Sequence, residues 1–327
     1  MLKLVIVVYV VLLIIQCIDC YHKNNNVVRN SNHRLVNRTI RKTNNINTIY
    51  MSNSNDVKSM KWELSLRSPC KINLFLRILA RRPTGYHDLA SLFQVISLSD
   101  YMYFSKLPSN ADKDQLICSD SSLLVDQSNL VIKALNLMRE KTKIKQFFKV
   151  YLDKIVPVQA GLGGGSGNAA TAMHAFNVLC GYPGNLEDMK LWSGDIGSDI
   201  TFFFSSGTAY CTGRGEIVTP LKPLPEWEST KVHVFKPEEG LSTALVFKTL
   251  DLNALSNVIP ESLLDCFESN GAIKSAADGR LVNDLEPPAF KCQPKLLSLK
   301  SAIEGLGSSI KGYCCNQHYY FRHYHYY

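Results

Sequence analysis

The chain has 327 residues, 46% of them hydrophobic and 10% aromatic, with 36 basic and 28 acidic side chains and a formal charge of +8. That length holds two domains of ordinary size with real cores. Eight basic and two acidic residues fall within residues 1–60, leaving 28 and 26 for the rest, so the body lies near +2 and is excluded as a nucleic-acid binder on electrostatic grounds.

Lys3 precedes an apolar run from Leu4 to Ile15, too short for a comfortable membrane span, which ends near Cys17, Asp19 and Cys20. Residues 1–20 therefore read as a secretory signal peptide, with an N-terminal anchor as the alternative. From Tyr21 to Asn55 there is no acidic residue, whereas Lys23, Arg29, Arg34, Arg38, Arg41 and Lys42 are basic and asparagine is abundant. Residues 21–60 read as a transit peptide without a core of their own, or alternatively as an asparagine-rich insertion. Signal followed by transit resembles the two-part leader of proteins sent to a complex plastid of the apicoplast type. Once the leader is removed, no membrane association is expected. The ten cysteines fit no disulfide framework or zinc spacing, so reduced thiols are expected.

From Lys61 the pattern is that of an enzyme mixing strands and helices. The stretch WELSLRSPCKINLFLRIL predicts one or two strands interrupted at Pro69, and RRPTGYHDL a turn on Pro83 and Gly85. SLFQVISLSDYMYFSKL reads as a strand pair, or a short helix and a strand. Asn129 to Lys143 has helical spacing, and FFKVYLDKIVPV is a strand leading into a glycine-rich run.

That run, VPVQAGLGGGSGNAATAMHAFNVL (Val156 to Leu179), holds Gly161, Gly163, Gly164 and Gly165 and leaves as an alanine-rich helix, with Ser166 and Asn168 as candidate caps. A glycine turn feeding a helix N-terminus collects unpaired N–H groups and is a ready phosphate site. It is neither a Walker A loop nor a strict G-x-G-x-x-G, and a flexible linker before a core helix is the bland alternative. Asp199 follows in the polar turn GSD just before Ile200, Phe202, Phe203 and Phe204, where it serves either as a partly desolvated base or as a helix cap. SSGTAYCTGRGEIVTPL predicts a hairpin turning at Gly213 and Gly215. Pro220 to Pro225 is the best domain boundary. Beyond it come a strand (KVHVFKP), a helix (STALVFKTLDL), a helical region at Pro260 to Glu268 and the LVNDLEPPAF segment.

Four stretches together, SPCKINLFLRILARRPTGYHDLASLFQ, AGLGGGSGNAA, IGSDITFFFSSGTAYCTGRGE and LSTALVFKTL with LVNDLE, resemble the GHMP small-molecule kinases in order from Ser68 to Gly307. The GYH turn with the long glycine loop is most like the branch that phosphorylates the 2-hydroxyl of a cytidine-diphosphate-linked methylerythritol. The resemblance implies an α+β fold: an N-terminal domain (61–222) like ribosomal protein S5 domain 2, an incomplete ferredoxin-like C-terminal domain (223–310), and a cleft between them. It implies ATP, accompanied by Mg2+ without a dedicated protein metal site, and a monomer or homodimer. Asp199 would be the catalytic base, with Lys71 beside it. Gly161, Gly163, Gly164, Gly165, Ser166, Gly167 and Asn168 would cradle ATP. Tyr86, His87 and Phe247 would hold the cytosine, with Asn73 and Thr243 as polar contacts. Gly167 stands where relatives commonly have serine, and residues 311–327 (KGYCCNQHYYFRHYHYY) depart from the family's third glycine-rich motif and read as an aberrant tail. Homoserine, mevalonate or sugar kinases, or an inactive nucleotide-binding homologue, are the alternatives.

Overall fold

A computed structural model describes residues 2–9, 12–19 and 60–305, apart from 233, 238 and 239. Strands β1 (Leu2–Tyr9) and β2 (Leu12–Asp19) form an antiparallel pair over the stretch expected as a signal peptide. Most of the expected transit segment, and the aberrant tail, lie outside the described residues. Among the described residues no helix is long and apolar enough to cross a membrane.

The body is organised by two long strands, β3 (Leu64–Arg81) and β4 (His87–Lys106), paired antiparallel along their whole length. Pro69 does not break β3 as expected. The ladder instead shifts register between Pro69 and Cys70, so the missing N–H is absorbed by a bulge. The SLFQVISLSDYMYFSKL stretch is likewise one strand rather than two elements, because β3 offers it an unbroken partner. The connecting turn closes through Gly85 N–H donating to Arg82 O and Arg82 N–H to Tyr86 O.

The other edge of β4 is shared. Its final residues pair with β6 (Phe148–Asp153), which pairs in parallel with β5 (Gln115–Cys118). Its first residues pair with β7 (Thr208–Gly213), which forms the expected hairpin with β8 (Ile217–Pro220).

Helix α1 (Leu130–Thr142) starts at Asn129, whose side chain accepts from Val131 N–H, and stops at Lys143 in the left-handed region. Its buried face, with Val131, Leu135 and Met138, meets α2 (Gly164–Leu179). There Ala169, Ala172 and Ala175 permit close packing and Phe176 lies 5.5 Å from Phe148. Helix α3 (Leu186–Ser193) opens on a reciprocal capping box between Asn185 and Asp188.

Beyond Pro225 the chain is helical: α4 (Thr243–Thr249), α5 (Pro260–Ala277, kinked at Gly271), α6 (Glu286–Cys292) and α7 (Lys295–Gly305). The expected KVHVFKP strand is reduced to a single bridge residue, Val234, and no strand of a ferredoxin-like sheet is present among the described residues of this half. Among the described residues these helices share their core with β3 and β4. Leu263 and Phe267 pack with Phe75 and Leu92, and Val246, Leu285 and Ala289 with Leu76, Ile78 and Leu89.

The LVNDLE motif makes the joint. Asp284 N–H donates to Leu76 O, and its carboxylate accepts from Ile78 N–H and Ser256 N–H and pairs with buried Arg77 at 2.9 Å.

Candidate active site

The glycine run leaves β6, crosses to β3 and enters α2. Lys71 N–H donates to Leu162 O at 2.8 Å, stitching the loop to the strand that carries the lysine. Gly163 is the helix N-cap, in the left-handed region at φ +64°, and a Cβ there would lie 3.0 Å from Lys71 Cγ and 3.3 Å from Phe203 Cζ. Ser166 and Asn168 are therefore not caps; both sit inside the helix, because glycine ends the loop by backbone conformation alone. The first helical bond closes at Gly167 N–H to Gly163 O, so the N–H groups of Gly164, Gly165 and Ser166 have no carbonyl one turn back. With the helix dipole they form an anion-binding end. Gly161 and Gly165 are exposed beside it.

Gly167 is buried, and a Cβ there would meet Pro69 O at 2.4 Å. Its lack of a hydroxyl is a packing requirement, since β3 runs directly beneath. Asn168 is also buried and donates to Ser68 Oγ and Asp100 Oδ2, so its amide anchors the helix instead of facing the open end of the loop.

That partner belongs to a hub the sequence reading missed. Asp100 is fully buried. Its Oδ1 accepts from Ile155 and Val156 N–H, each at 2.7 Å, and its Oδ2 accepts from Lys154 Nζ at 2.7 Å and from Asn168. One carboxylate thus holds the start of the glycine run and the first turn of α2. A charged residue within the alternation of SLSDYMYF was the only signal, and it reads equally well as a solvent-facing position.

Lys71 and Asp199 come together as expected. Buried Lys71 Nζ lies 3.4 Å from Asp199 Oδ2, donates to Asn73 Oδ1 at 2.9 Å, and sits 4.0 Å from the centre of the Phe93 ring. Asn73 in turn donates to Ser91 Oγ. The amide expected as a substrate contact is thus hydrogen-bonded to the lysine and to Ser91. Asp199 is about one-third exposed (32%), and the β7–β8 turn approaches it: a Cβ on Gly215 would stand 3.3 Å from Asp199 Oδ1.

Next along that turn, the Arg214 guanidinium lies 5.3 Å from the ring centre of exposed Tyr86. His87 stacks on Phe247 with centroids 5.1 Å apart and planes at 26°. The two rings form one platform, with Tyr86 the adjacent residue. Burial, and then Arg81, lower the His87 pKa below its ordinary 6.5, so the ring is neutral at pH 7. Thr243 opens α4 and is exposed. It lies one helical turn from Phe247 on the same face.

The arrangement brings together an anion-binding loop, a lysine–carboxylate pair and an aromatic platform reached through Arg214. This chemistry suits the transfer of a phosphoryl group to a hydroxyl on a ring-bearing molecule. Among the described residues no three His, Cys, Asp or Glu side chains cluster, and Asp199 and Asp100 each face a lysine. A metal entering with the nucleotide would be held by phosphate oxygens.

Residues 129–207 match the family described as the GHMP kinases N terminal domain. The chain is 53% identical over 241 residues to the chloroplastic 4-diphosphocytidyl-2-C-methyl-D-erythritol kinase of Oryza sativa subsp. japonica, covering 73% of this chain and 58% of that protein. It is 42% identical to the protein of the same name from Protochlamydia amoebophila, covering 77% of this chain and 81% of the other. Against the plant relatives the chain thus spans about three-fifths of their length. A crystal structure of 4-(cytidine 5'-diphospho)-2C-methyl-D-erythritol kinase superposes with a TM-score of 0.59 at 26% identity, over 75% of this chain and 84% of that one.

Proposed function

Since the chain belongs to the GHMP kinase family, we propose that it transfers the γ-phosphoryl group of ATP to the 2-hydroxyl of 4-diphosphocytidyl-2-C-methyl-D-erythritol, a step of the non-mevalonate route to isoprenoid precursors. The observation that carries this reading is the Lys71–Asp199 pair lying directly beneath the glycine loop. The names borne by the rice and Protochlamydia relatives support the choice of substrate.

The γ-phosphate sits at the start of α2, where the N–H groups of Gly164, Gly165 and Ser166 hold its charge. Asp199 takes the proton of the acceptor hydroxyl as its oxygen attacks phosphorus. The bond to the β–γ bridging oxygen breaks, and ADP leaves with that electron pair. Lys71, kept in place by Asn73, pairs with Asp199 and orients the hydroxyl. The cytosine stacks at the Tyr86, His87 and Phe247 rings, and neutral His87 offers the base both a donor and an acceptor. Mg2+ bound with ATP supplies charge neutralisation of the phosphates.

For localisation, we read residues 1–60 as a two-part leader to a plastid, a reading supported by their basic, acid-poor composition and by the chloroplastic plant relatives. A fluorescent protein carrying residues 1–60 should enter the plastid; retention in the cytosol refutes it.

The test of the reaction is ATP-dependent phosphorylation of the cytidine-diphosphate substrate, with Asp199→Asn alongside. Turnover should fall by about 10²–10⁴-fold in the variant, the range of a general base. A folded chain that binds ATP and turns over none of the cytidine-linked alcohol refutes the assignment.

A further inference from the structure

A cavity of about 690 Å³ lies along α2, lined by Thr171, His174 and Asn177 of that helix, and it contains neither Lys71, Asp199 nor any residue of the loop from Gly161 to Asn168. Its size is that of a small-molecule site. Leu186, Met189, Phe203 and Phe204 form its apolar walls, with Pro69 and Ala170 against the sheet side. Two cationic side chains, Arg67 and Lys190, and the imidazole of His174 also line it, and no carboxylate does. Arg67 is committed to Ser97 O, while Lys190 is paired at 2.7 Å with Glu187, which is 78% exposed. A pair of that kind is worth little in water and exchanges readily for an entering anion.

The cavity shares two walls with the catalytic apparatus. Phe203, four residues after Asp199, presents one edge to the cavity. The same ring approaches the Cβ positions of Gly163 and Gly167 at 3.3 and 3.4 Å. Pro69 lines the cavity, and its carbonyl lies against Gly167, two residues before Lys71.

We propose that this cavity is a second binding site, for a small amphipathic anion with an apolar ring or chain and one acidic head at Lys190, whose occupancy is felt at the glycine loop through Phe203. The apolar walls select the body of the ligand, and the cationic rim, where Lys190 can exchange exposed Glu187 for an entering anion, selects the charge. Close packing of Phe203 against the loop glycines means that a ring shift on one side cannot occur without movement on the other.

The experiment uses the full chain and two dyes, 8-anilinonaphthalene-1-sulfonate and its neutral analogue N-phenyl-1-naphthylamine. The anionic dye should bind at one saturable site, undisplaced by ADP, and Ala170→Trp, which fills the cavity, should abolish it. Should that variant not fold, Lys190→Glu on the rim should weaken the anionic dye about tenfold while leaving the neutral dye unchanged. Saturating anionic dye should also alter amide hydrogen exchange across residues 161–167. Displacement by ADP, equal effects of Lys190→Glu on both dyes, or several weak sites insensitive to Ala170→Trp would overturn the site. Binding with unchanged exchange in the loop would overturn its coupling to the loop.

Discussion

Replacing Asp100 by asparagine tests how the glycine loop is held. The substitution keeps an oxygen for Ile155 and Val156 N–H but turns Oδ2 into a donor facing two other donors, Lys154 Nζ and Asn168 Nδ2. It also removes the counter-charge of the Lys154 ammonium, whose side chain is only 5% exposed and which keeps Val156 O as an acceptor. Removing one partner of a buried ion pair costs about 3–5 kcal/mol. For a chain of this size each kcal/mol lowers Tm by about 2–4 °C, so a fall of roughly 6–20 °C is expected by calorimetry. KM for ATP should rise in the surviving protein, since the same carboxylate sets the loop entry and the first turn of α2. Asp112→Asn, at an exposed position, serves as the control. Combining Asp100→Asn with Lys154→Met removes the uncompensated charge, and the double variant should be more stable than the sum of the single losses. A melting temperature within about 2 °C of the parent and an unchanged KM for ATP would refute the reasoning.

Other outcomes follow from the same geometry. Lys71→Ala should abolish turnover while leaving ADP binding measurable by calorimetry, because the Lys71 ammonium faces Asp199 whereas its backbone N–H, which the substitution keeps, is bonded to Leu162 O of the loop. Gly163→Ala should destabilise the fold by about 1 kcal/mol or more, from its positive φ and the contact with Lys71, and should lower kcat; unchanged kcat counts against the close packing of loop and lysine. Because the His87 pKa lies below 6.5 when folded, the unfolded chain binds more protons just under that pH. Its stability contribution, complete above 6.5, is lost as pH falls through the folded value. His87→Phe should remove that part of a pH-dependent melt. Burial pushes the Cys211 thiol up to about 12 and Cys70 higher than its usual range, so iodoacetamide at pH 8 should spare both in the native chain and label them after denaturation.

The features readable in the sequence were those enforced by local chemistry. Asn129 with its apolar periodicity announced α1, and the Gly213–Gly215 turn announced the β7–β8 hairpin. The glycine run announced a helix N-terminus, although Ser166 and Asn168 were misjudged as caps because the left-handed Gly163 ends the loop unaided. Asp199 and Lys71 stood out by residue type and by resemblance to the kinase motifs. What stayed hidden depended on distant partners. Pro69 could not reveal a bulge without knowing that β4 runs unbroken beside it. Asp100 and Lys154 lie 54 positions apart and each looks like an ordinary surface charge, so nothing local betrays their burial. Asn73 and Asn168 were both assigned to ligands, yet their amides are spent inside the protein, on Lys71 and Ser91 in one case and on Ser68 and Asp100 in the other.

The absence of strands among the described residues beyond Pro225 gives β3 an unusual duty. Lys71 and Asn73 lie on it under the glycine loop, and Arg77 lies four residues further along, paired with Asp284. Leu76 accepts from Asp284 N–H and donates to Val282 O, so the LVNDLE segment is hydrogen-bonded to the strand that positions the lysine. Phe247 stands on α4, which packs with α6 immediately after that segment. The His87–Phe247 stack and Lys71 are therefore both tied, through the LVNDLE segment, to one strand. Weakening the Arg77–Asp284 pair should disturb the platform before the pair at Asp199. Arg77→Met should raise KM for the cytidine-linked alcohol more than KM for ATP, measured at a temperature where the variant stays folded. An equal rise in both constants would mean that the strand does not transmit the docking of the second half selectively to the platform.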